Sequence, residues 1–428
     1  MRQKKSDYNL RTNMSSLLAQ FQRTRSAAAS LAMASGETRN AILRHIALLI
    51  QEKTVDILQE NQKDLDQMSV DHPMRDRLKL TPERLVDLAE SVISVTQLPD
   101  PAGHVLSQKT LPNGLELTKI TAPLGVVGVI FESRPNVTID VAALCIRSGN
   151  AAVLRGGSDA FHTNTILVDI VHQALTQQGI STDVVYLMPT DRELVSTLLT
   201  AVKYIDVLIP RGSEALIQRV RKESLVPTIE TGAGVCHTYV AASADLKMAV
   251  EVVVNAKVSR PSVCNSLDTI VLHRSMASKF LAQLVEPFTA HTVNVYADET
   301  SFTILESVGY PLLEKAAEAD FGREFLDFAC SIKVVDDFAE ALAHIATYSS
   351  RHSEAIITSD ESEANYFLSA VDAAAVYWNA STRFTDGGQF GLGAEIGIST
   401  QKLHARGPFA LEKLVTEKWI GKGQGQIR

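Results

Sequence analysis

The strongest constraint in this sequence is a regular alternation of strand-like and helix-like segments between Val126 and Ile209. Apolar runs at Val126–Phe131 and Ala151–Leu154 have the length of buried strands, and the segments Ile139–Ile146 and Asn164–Gln177 that follow them have helical periodicity. Parallel strands need a crossover connection, usually a helix, to bring the chain back to the same edge. The alternation therefore predicts an α/β fold with a parallel sheet covered by helices on both faces.

The alternation restarts after the glycine-bearing segment 230–234. Helical patterns cover Leu246–Val258 and Met276–Pro287, and strand patterns cover Thr269–Leu272 and Thr292–Ala297. A chain of 428 residues is also longer than one hydrophobic core usually serves. The sequence therefore predicts a second α/β unit.

Two segments outside these units have the pattern of exposed strands. Asn113–Gly114 divides the run Val105–Ile120 and predicts a β-hairpin, because Asn-Gly favours a two-residue turn. The tail Val415–Ile427 is extended in character and suits either the edge of this hairpin or another subunit. Open strand edges need a partner. We therefore expect residues 105–121 and 406–428 to form an oligomerisation arm of a homo-oligomer.

Composition excludes several classes of partner. The chain has 41 basic and 49 acidic residues, a net charge of −8, and no basic stripe of the kind that binds nucleic acid. It has no uninterrupted apolar run of about 18 residues, so we expect no membrane span. Its four cysteines form no CxxC pair, which argues against a zinc site, and we expect no metal. Four cysteines in so long a chain also make no disulfide framework, which fits a reducing cytoplasm.

Cys264 is the cysteine with the most reactive context. It lies in Arg260–Pro261–Ser262–Val263–Cys264–Asn265, where a cation and hydrogen-bond donors favour the thiolate. Cys145 and Cys330 lie in apolar runs and are expected to be buried small hydrophobes. From its local context alone, Cys264 could also be a buried cysteine with a packing role only.

Two short turns follow predicted strands and resemble phosphate-binding turns. Arg155–Gly156–Gly157–Ser158 follows the strand at 151–154, and Pro210–Arg211–Gly212–Ser213 follows a strand that ends at Ile209. Glycine turns before helices expose backbone N–H groups to anions. Taken alone, each turn is better explained as an ordinary strand-to-helix connection, and the chain lacks the GxGxxG fingerprint of dinucleotide-binding folds.

Taken together, these segments resemble the aldehyde dehydrogenase superfamily and, within it, the branch that reduces γ-glutamyl phosphate. The resemblance extends from about Ala28 to Arg428. It is carried by the segments Gly125–Asn136, Arg260–Asn265, Asn379–Gly388 and Gly393–Pro408. The chain departs from the branch pattern at Val235, at Val258 and Ser259, and at Ser213–Glu214.

The resemblance implies a role for each matching residue. Cys264 matches the nucleophile and Asn136 the oxyanion-hole asparagine, while Arg260 and Arg134 are expected to bind substrate anions. The cofactor NADPH is expected to contact a set of residues in both units, namely Arg155, Gly156, Ser158, Gly212, Ser213 and Glu324. The implied fold has two Rossmann-like parallel-sheet domains. Residues 1–104 and 122–232 form the NADPH-binding domain, and residues 233–405 form the catalytic domain, whose last part returns toward the cofactor domain.

The implied reaction is the NADPH-dependent reduction of γ-glutamyl phosphate, a step of proline biosynthesis, through a thioester on Cys264. It also implies a functional coupling to glutamate 5-kinase. One alternative is a hydrolytic aldehyde dehydrogenase that uses NAD⁺ and Glu230 to activate water; the phosphate dependence of the oxidative direction distinguishes the two. A second alternative is a catalytically silent member kept as a scaffold, which a turnover assay would distinguish.

Overall fold

The structure, a computed structural model, describes residues 2–70, 72 and 75–428, with the side chains of 2–13 and 214 excluded. Two compact units form within the chain. The first comprises Met1–Thr231, Gly391–Gly397 and Phe409–Arg428, and the second comprises Gly232–Phe390 and Ile398–Pro408. Both units are therefore assembled from segments that are distant in sequence. The assignment of cofactor and catalytic roles to particular domains remains a prediction.

The α-helices account for most of the regular structure at the N-terminus and for the crossovers of both units. In chain order they are α1 Arg2–Met33, α2 Gly36–Glu52, α3 Thr54–Asp66, α4 Arg75–Leu78, α5 Pro82–Gln97, α6 Asn136–Ser148, α7 Phe161–Gln177, α8 Leu194–Leu199, α9 Glu214–Glu223, α10 Leu246–Val258, α11 Ala277–Ala290, α12 Glu299–Ser307, α13 Phe338–Tyr348 and α14 Glu361–Ala370.

The strands form two parallel sheets and two small antiparallel ones. In chain order they are β1 Val105–Thr110, β2 Glu116–Pro123, β3 Val126–Phe131, β4 Ala151–Arg155, β5 Val185–Leu187, β6 Val207–Arg211, β7 Cys236–Val240, β8 Leu267–His273, β9 Asn294–Ala297, β10 Leu313–Lys315, β11 Ala329–Val335, β12 Ser353–Ile357, β13 Ala375–Trp378, β14 Ile398–Ser399, β15 Gly407–Pro408 and β16 Val415–Lys422.

The first unit contains a parallel sheet in the order β5-β4-β3-β6. All six residues of β3 are buried, as expected for a central strand with helices on both faces. The register pairs Ile130 with Arg155 and Phe131 with Arg211. The turns that follow β3, β4 and β6 therefore meet at the same edge of the sheet.

The second unit contains a parallel sheet of seven strands in the order β10-β9-β11-β8-β7-β12-β13. Apolar clusters pack around it; one includes Phe280 and Phe288 of α11, and another includes Tyr239 of β7 and Phe367 of α14. The predicted α/β fold with two parallel-sheet units is confirmed.

The sequence placed the end of one helix of the second unit incorrectly and missed one of its strands. Helix α11 continues to Ala290 instead of ending at Pro287, because a proline in the last turn of a helix removes only one intrahelical hydrogen bond. Strand β12 was missed because it begins with Ser353 and Glu354. Both are fully buried and hydrogen-bonded, so the strand lacks the continuous apolar run that marks a central strand.

The predicted hairpin forms as β1 and β2, which pair in antiparallel orientation. Gly114 in its turn has a φ of 83°, a conformation that glycine adopts without strain. Strand β16 pairs with the other edge of β2, from Val415 opposite Pro123 to Lys422 opposite Glu116. The tail therefore pairs with the hairpin of its own chain, which is one of the two arrangements that the sequence allowed. The role of this sheet in oligomerisation stays a prediction.

Truncation after Leu414 is expected to give monomers or insoluble protein, because removing β16 exposes a long edge of β2. Leu414 itself is kept, since it is fully buried and its carbonyl accepts a hydrogen bond from Asn150 (2.8 Å). Truncation after Lys422 leaves the sheet intact and is the control. Size-exclusion chromatography with light scattering measures the mass, and a soluble Leu414 truncation with the full-length assembly mass would refute the expectation.

Candidate active site

Cys264 lies in the irregular loop that joins α10 to β8 and is partly exposed. The other three cysteines are fully buried. Burial raises the pKa of Cys145 and of Cys330 to about 12 and raises that of Cys236 well above its ordinary value. A thiolate is the reactive form of cysteine, so burial makes these three unreactive. The expectation that Cys145 and Cys330 are buried is confirmed.

The backbone of Cys264 packs directly against Gly234, which precedes β7. A Cβ atom at Gly234 would overlap the carbonyl group of Cys264, so the position requires glycine for this close approach. The thiol of Cys236 donates a hydrogen bond to the same carbonyl oxygen (3.2 Å). The start of β7 therefore fixes the backbone of the nucleophile loop.

Glu324 also contacts Gly234. Its Oε1 accepts the backbone N–H of Gly234 at 2.9 Å. Glu324, which is predicted to contact the cofactor, and Cys264 therefore both contact the same glycine. Sequence reasoning did not identify Gly234 as the link between them.

A buried ion pair supports the backbone next to Glu324. Lys257 and Asp268 lie 3.7 Å apart with side chains almost entirely shielded from water. Burial raises the pKa of Asp268 to about 7, while the charge of Lys257 and the hydrogen bond from Phe325 N–H (3.1 Å) act in the opposite direction. Because a buried charge without its partner is strongly destabilising, this pair is expected to be intolerant of single substitutions.

Asn265 ties the nucleophile loop to the segment 381–385. It is 3% exposed, and its Nδ2 donates to the carbonyl oxygens of Thr385 (2.8 Å) and Arg383 (3.3 Å). The hydroxyl of Thr382 donates to the Asn265 carbonyl oxygen (2.8 Å). The long loop near the C-terminus therefore holds the residue that follows Cys264.

Arg260 precedes Cys264 in the same loop. Residues 259–266 form bends and turns and not a helix, so no helical spacing relates Arg260 to Cys264, and its role stays a prediction. Arg260 is exposed at the start of the loop. Arg383, to which the sequence assigned no role, bonds to Asn265 next to Cys264, and the charge of Cys264 is among those that act on it. Burial is the main cause of its lowered pKa, and the charges of Asp386, Arg260 and Cys264 modify that pKa.

In the first unit, Arg155 ends β4 at the carboxyl edge of the sheet. Its Nη2 donates to the carbonyl oxygen of Thr190 (2.8 Å), and its Nε is buried with no hydrogen-bond partner among the described residues. Burial is the largest cause of its lowered pKa, and the charges of Arg192 and Arg219 lower the pKa further, while Glu132 and Asp159 raise it. Sequence reasoning missed Arg192 and Arg219, which come together with Arg155 only through the fold.

The turns at Gly156–Ser158 and Gly212–Ser213 lie at this same edge. A Cβ atom at Gly212 would overlap the carboxylate of Glu132, whose Oε2 accepts the N–H of Ser213 at 2.8 Å. Glu132 thus occupies the N-terminus of α9, where a helix favours negative charge. The turn predicted to bind a phosphate already holds a carboxylate.

Asn136 is the first residue of α6, and Arg134 is partly buried in the loop that precedes this helix. The Nδ2 of Asn136 donates to Asp140 at 3.0 Å. Burial raises the pKa of Asp140 to about 6, and the charge of Arg211 and the bond from Asn136 oppose this rise. One amide N–H of Asn136 is therefore engaged within its own helix.

Glu230 forms an ion pair in the first unit. Its carboxylate accepts a hydrogen bond from Nε of Arg221 at 3.0 Å, and the side chain is mostly buried. The described residues contain no cluster of His, Cys, Asp and Glu that would hold a metal ion. No helix in the described part of the chain has both the length and the apolar character needed to cross a membrane.

The fold and this cysteine-centred site are those of a defined class of enzyme. Residues 12–304 match the model of the aldehyde dehydrogenase family. The chain belongs to the aldehyde dehydrogenase family, which confirms the resemblance read from the sequence.

Several relatives named gamma-glutamyl phosphate reductase match nearly the whole chain. The protein of that name from Chlorobium phaeobacteroides (strain BS1) is 52% identical over 411 residues, covering 96% of this chain and 98% of its own. The protein from Bacteroides fragilis (strain YCH46) is 50% identical over 410 residues, covering 95% and 98%. The crystal structure of gamma-glutamyl phosphate reductase from Thermotoga maritima has a TM-score of 0.90 and 41% identity, covering 96% of this chain and 99% of that chain.

Gly234→Ala is expected to lower kcat on the order of 100-fold, because displacing a reacting group by about 1 Å has effects of this size. The new methyl group would force the backbone of Cys264 away from β7. Steady-state kinetics and circular dichroism of the purified variant measure activity and folding.

Gly309→Ala is the matched control. Gly309 has a φ of 73° and open space at its Cβ position, so the change costs roughly 1 kcal/mol of stability without contacting the site. A Gly234→Ala enzyme as active as the Gly309→Ala enzyme would contradict the role of this contact.

Proposed function

We propose that the chain reduces L-glutamyl 5-phosphate to L-glutamate 5-semialdehyde with NADPH and releases phosphate, the second step of proline biosynthesis from glutamate. The observation that carries the proposal is the similarity, over nearly the full length, to relatives named gamma-glutamyl phosphate reductase. The one partly exposed cysteine among four, held in a fixed loop, supports covalent catalysis at Cys264.

In the proposed mechanism the thiolate of Cys264 attacks the acyl carbon of the substrate. A carbon–sulfur bond forms, the bond from carbon to the phosphate oxygen breaks, and phosphate leaves, which gives a thioester. Asn136 and backbone N–H groups donate hydrogen bonds to the oxyanion that develops on the carbonyl oxygen. Covalent capture divides a difficult displacement into two easier steps.

Bound NADPH would supply a hydride to the thioester carbon, and Cys264 would leave as the thiolate when the aldehyde is released. The residues proposed to hold this cofactor are Arg155, Gly156, Ser158, Gly212, Ser213 and Glu324. The buried Nε of Arg155, with no hydrogen-bond partner among the described residues, and the nearby charges of Arg192 and Arg219 suit the 2′-phosphate. A phosphate at Ser213 would replace the carboxylate of Glu132 on the N–H group.

Arg260 and Arg134 are proposed to bind the anionic groups of the substrate. Arg260 is exposed at the start of the nucleophile loop, which allows it to reach a ligand. The chain is further proposed to act in the cytoplasm as a homo-oligomer, in functional coupling with the glutamate 5-kinase that makes its unstable acyl phosphate.

The hydrolytic alternative would need Glu230 as the base that activates water. The ion pair with Arg221 and the burial of Glu230 favour a structural role for this carboxylate. In the oxidative direction the proposed enzyme therefore requires phosphate to cleave the thioester. NADP⁺ reduction that proceeds at full rate without phosphate would favour the hydrolytic alternative.

Cys264→Ala is expected to abolish turnover while the enzyme still binds NADPH, because the change removes the nucleophile and leaves the cofactor-binding residues intact. Cys264→Ser is expected to be almost as inactive, since a serine hydroxyl is a poor nucleophile at neutral pH without an adjacent base. The measurements are NADP⁺ reduction with glutamate semialdehyde and phosphate, and NADPH binding by fluorescence. Cys330→Ala controls for loss of a thiol as such, and full activity of Cys264→Ala would overturn the mechanism.

Arg155→Ala is expected to raise the KM for NADPH about tenfold or more and to leave the use of NADH nearly unchanged. The reason is that a guanidinium contributes charge-assisted hydrogen bonds to a 2′-phosphate that NADH lacks. Initial rates with the two coenzymes give this ratio. Equal losses with both coenzymes would show that Arg155 supports the fold of the turn and does not select the phosphate.

A further inference from the structure

Arg383 connects two ends of the loop that carries the nucleophile. Its Nε donates to the hydroxyl of Ser259 at 3.1 Å, and its Nη1 donates to Oδ1 of Asn265. Ser259 begins the loop after α10, and Asn265 follows Cys264 directly. The guanidinium therefore lies against the same short loop that presents the thiol.

Asn265 has other anchors besides this guanidinium. Asn265 is already held by two bonds from its own amide group to backbone carbonyls of the segment 381–385 and by one bond from the hydroxyl of Thr382. Thr385 is in turn held by the hydroxyls of Tyr377 and Ser353, both at 2.7 Å. These contacts are all between neutral groups, and Arg383 is the charged group that bonds to Asn265.

The charge is placed where an anion is formed. Partial burial lowers the pKa of Arg383, and the charges of Cys264 and Cys236 act in the opposite direction. Cys236 is buried and unreactive, which leaves Cys264 as the thiol that benefits from a nearby cation. The carboxylate that interacts with Arg383 is that of the exposed Asp386, whose Oδ1 accepts the N–H groups of Gly388 (2.9 Å) and Gln389 (3.2 Å).

We infer that Arg383 is a functional residue of the nucleophile site, where its guanidinium stabilises the thiolate of Cys264 and binds the phosphate group of an acyl phosphate substrate. The inference rests on the proposed function in that it takes Cys264 as the nucleophile. A fixed planar cation suits both tasks, because it forms paired hydrogen bonds to phosphate oxygens and remains charged when partly buried. Arg260, which is exposed, then has a secondary role in attracting the substrate.

Two alkylating reagents test the charge without any turnover. Iodoacetate is an anion and iodoacetamide is neutral, and both alkylate the thiolate of Cys264, so the ratio of their rates reports the local positive charge. Arg383→Gln keeps hydrogen-bond donors and removes the charge. In this variant the ratio of the iodoacetate rate to the iodoacetamide rate is expected to fall about tenfold, the size of an ordinary interaction between neighbouring charges. Arg383→Lys keeps the charge and is expected to retain most of the ratio.

Arg274→Ala is the control for loss of an arginine elsewhere in the same unit, since Arg274 is half-exposed and pairs with the surface residue Asp336. The Cys264→Ala protein gives the background from other cysteines. A purely structural role of Arg383 would change both alkylation rates by the same factor and leave the ratio as in the native protein. That outcome, or a ratio that falls equally in Arg383→Lys, would overturn the inference.

The phosphate half of the inference is tested in the oxidative direction with inorganic phosphate as the varied substrate. Arg383→Gln is expected to raise the KM for phosphate at least tenfold, while the KM for NADP⁺ stays within about twofold. An unchanged KM for phosphate would remove the substrate role of Arg383. Failure of the proposed function would look different, because the native enzyme itself would then show no dependence on phosphate, whatever the alkylation ratio.

Discussion

The contact between Gly234 and the backbone of Cys264 is the constraint on which the nucleophile site depends. The carbonyl group of Cys264 lies so close to Gly234 that no side chain fits between them. The same glycine gives its N–H to Glu324, and Cys236, two residues on, gives its thiol hydrogen to the Cys264 carbonyl. The loop is thereby fixed to the start of β7, an interior strand of the seven-stranded sheet.

A rigid loop matters because covalent catalysis requires the sulfur to be in position before the substrate arrives. Asn265 holds the loop from its other side through neutral hydrogen bonds to the segment 381–385. The guanidinium of Arg383 adds bonds to Ser259 and Asn265 and brings a positive charge to the same loop. The site therefore separates two functions, with position set by backbone packing and amide bonds, and charge set by an arginine from a distant part of the chain.

The sequence was most informative where physical patterns are local. The strands β3 and β4 are apolar runs, and helix α10 begins and ends at the predicted residues, since Asp245 caps its first turn. The burial of Cys145 and Cys330 followed from their apolar runs, and the polar context of Cys264 agrees with its partial exposure, while its role as the nucleophile stays a prediction. The resemblance to the aldehyde dehydrogenase superfamily came from long matching segments, and the family is confirmed.

What the sequence could not predict depends on residues that are far apart in the chain. Arg383 lies more than a hundred residues after Cys264, and Gly234 looks like one of several glycines in a loop. Arg260 was predicted from its proximity to Cys264 in the sequence, which gives no information on side chains that reach the loop from elsewhere. Glu132 at the start of α9 was missed for the same reason, since its contact with Ser213 spans β3 and β6. Strand β12 was missed because its buried polar residues obscure the apolar pattern.

The most direct test of the central claim is the capture of the thioester on Cys264. The native enzyme is incubated with glutamate semialdehyde and NADP⁺ without phosphate, quenched in acid and analysed by peptide mass spectrometry. We expect a glutamyl adduct on the peptide that contains Cys264, formed with one equivalent of NADPH and lost when phosphate is added. An adduct on another residue, or full turnover with no covalent intermediate in a rapid quench, would contradict the account.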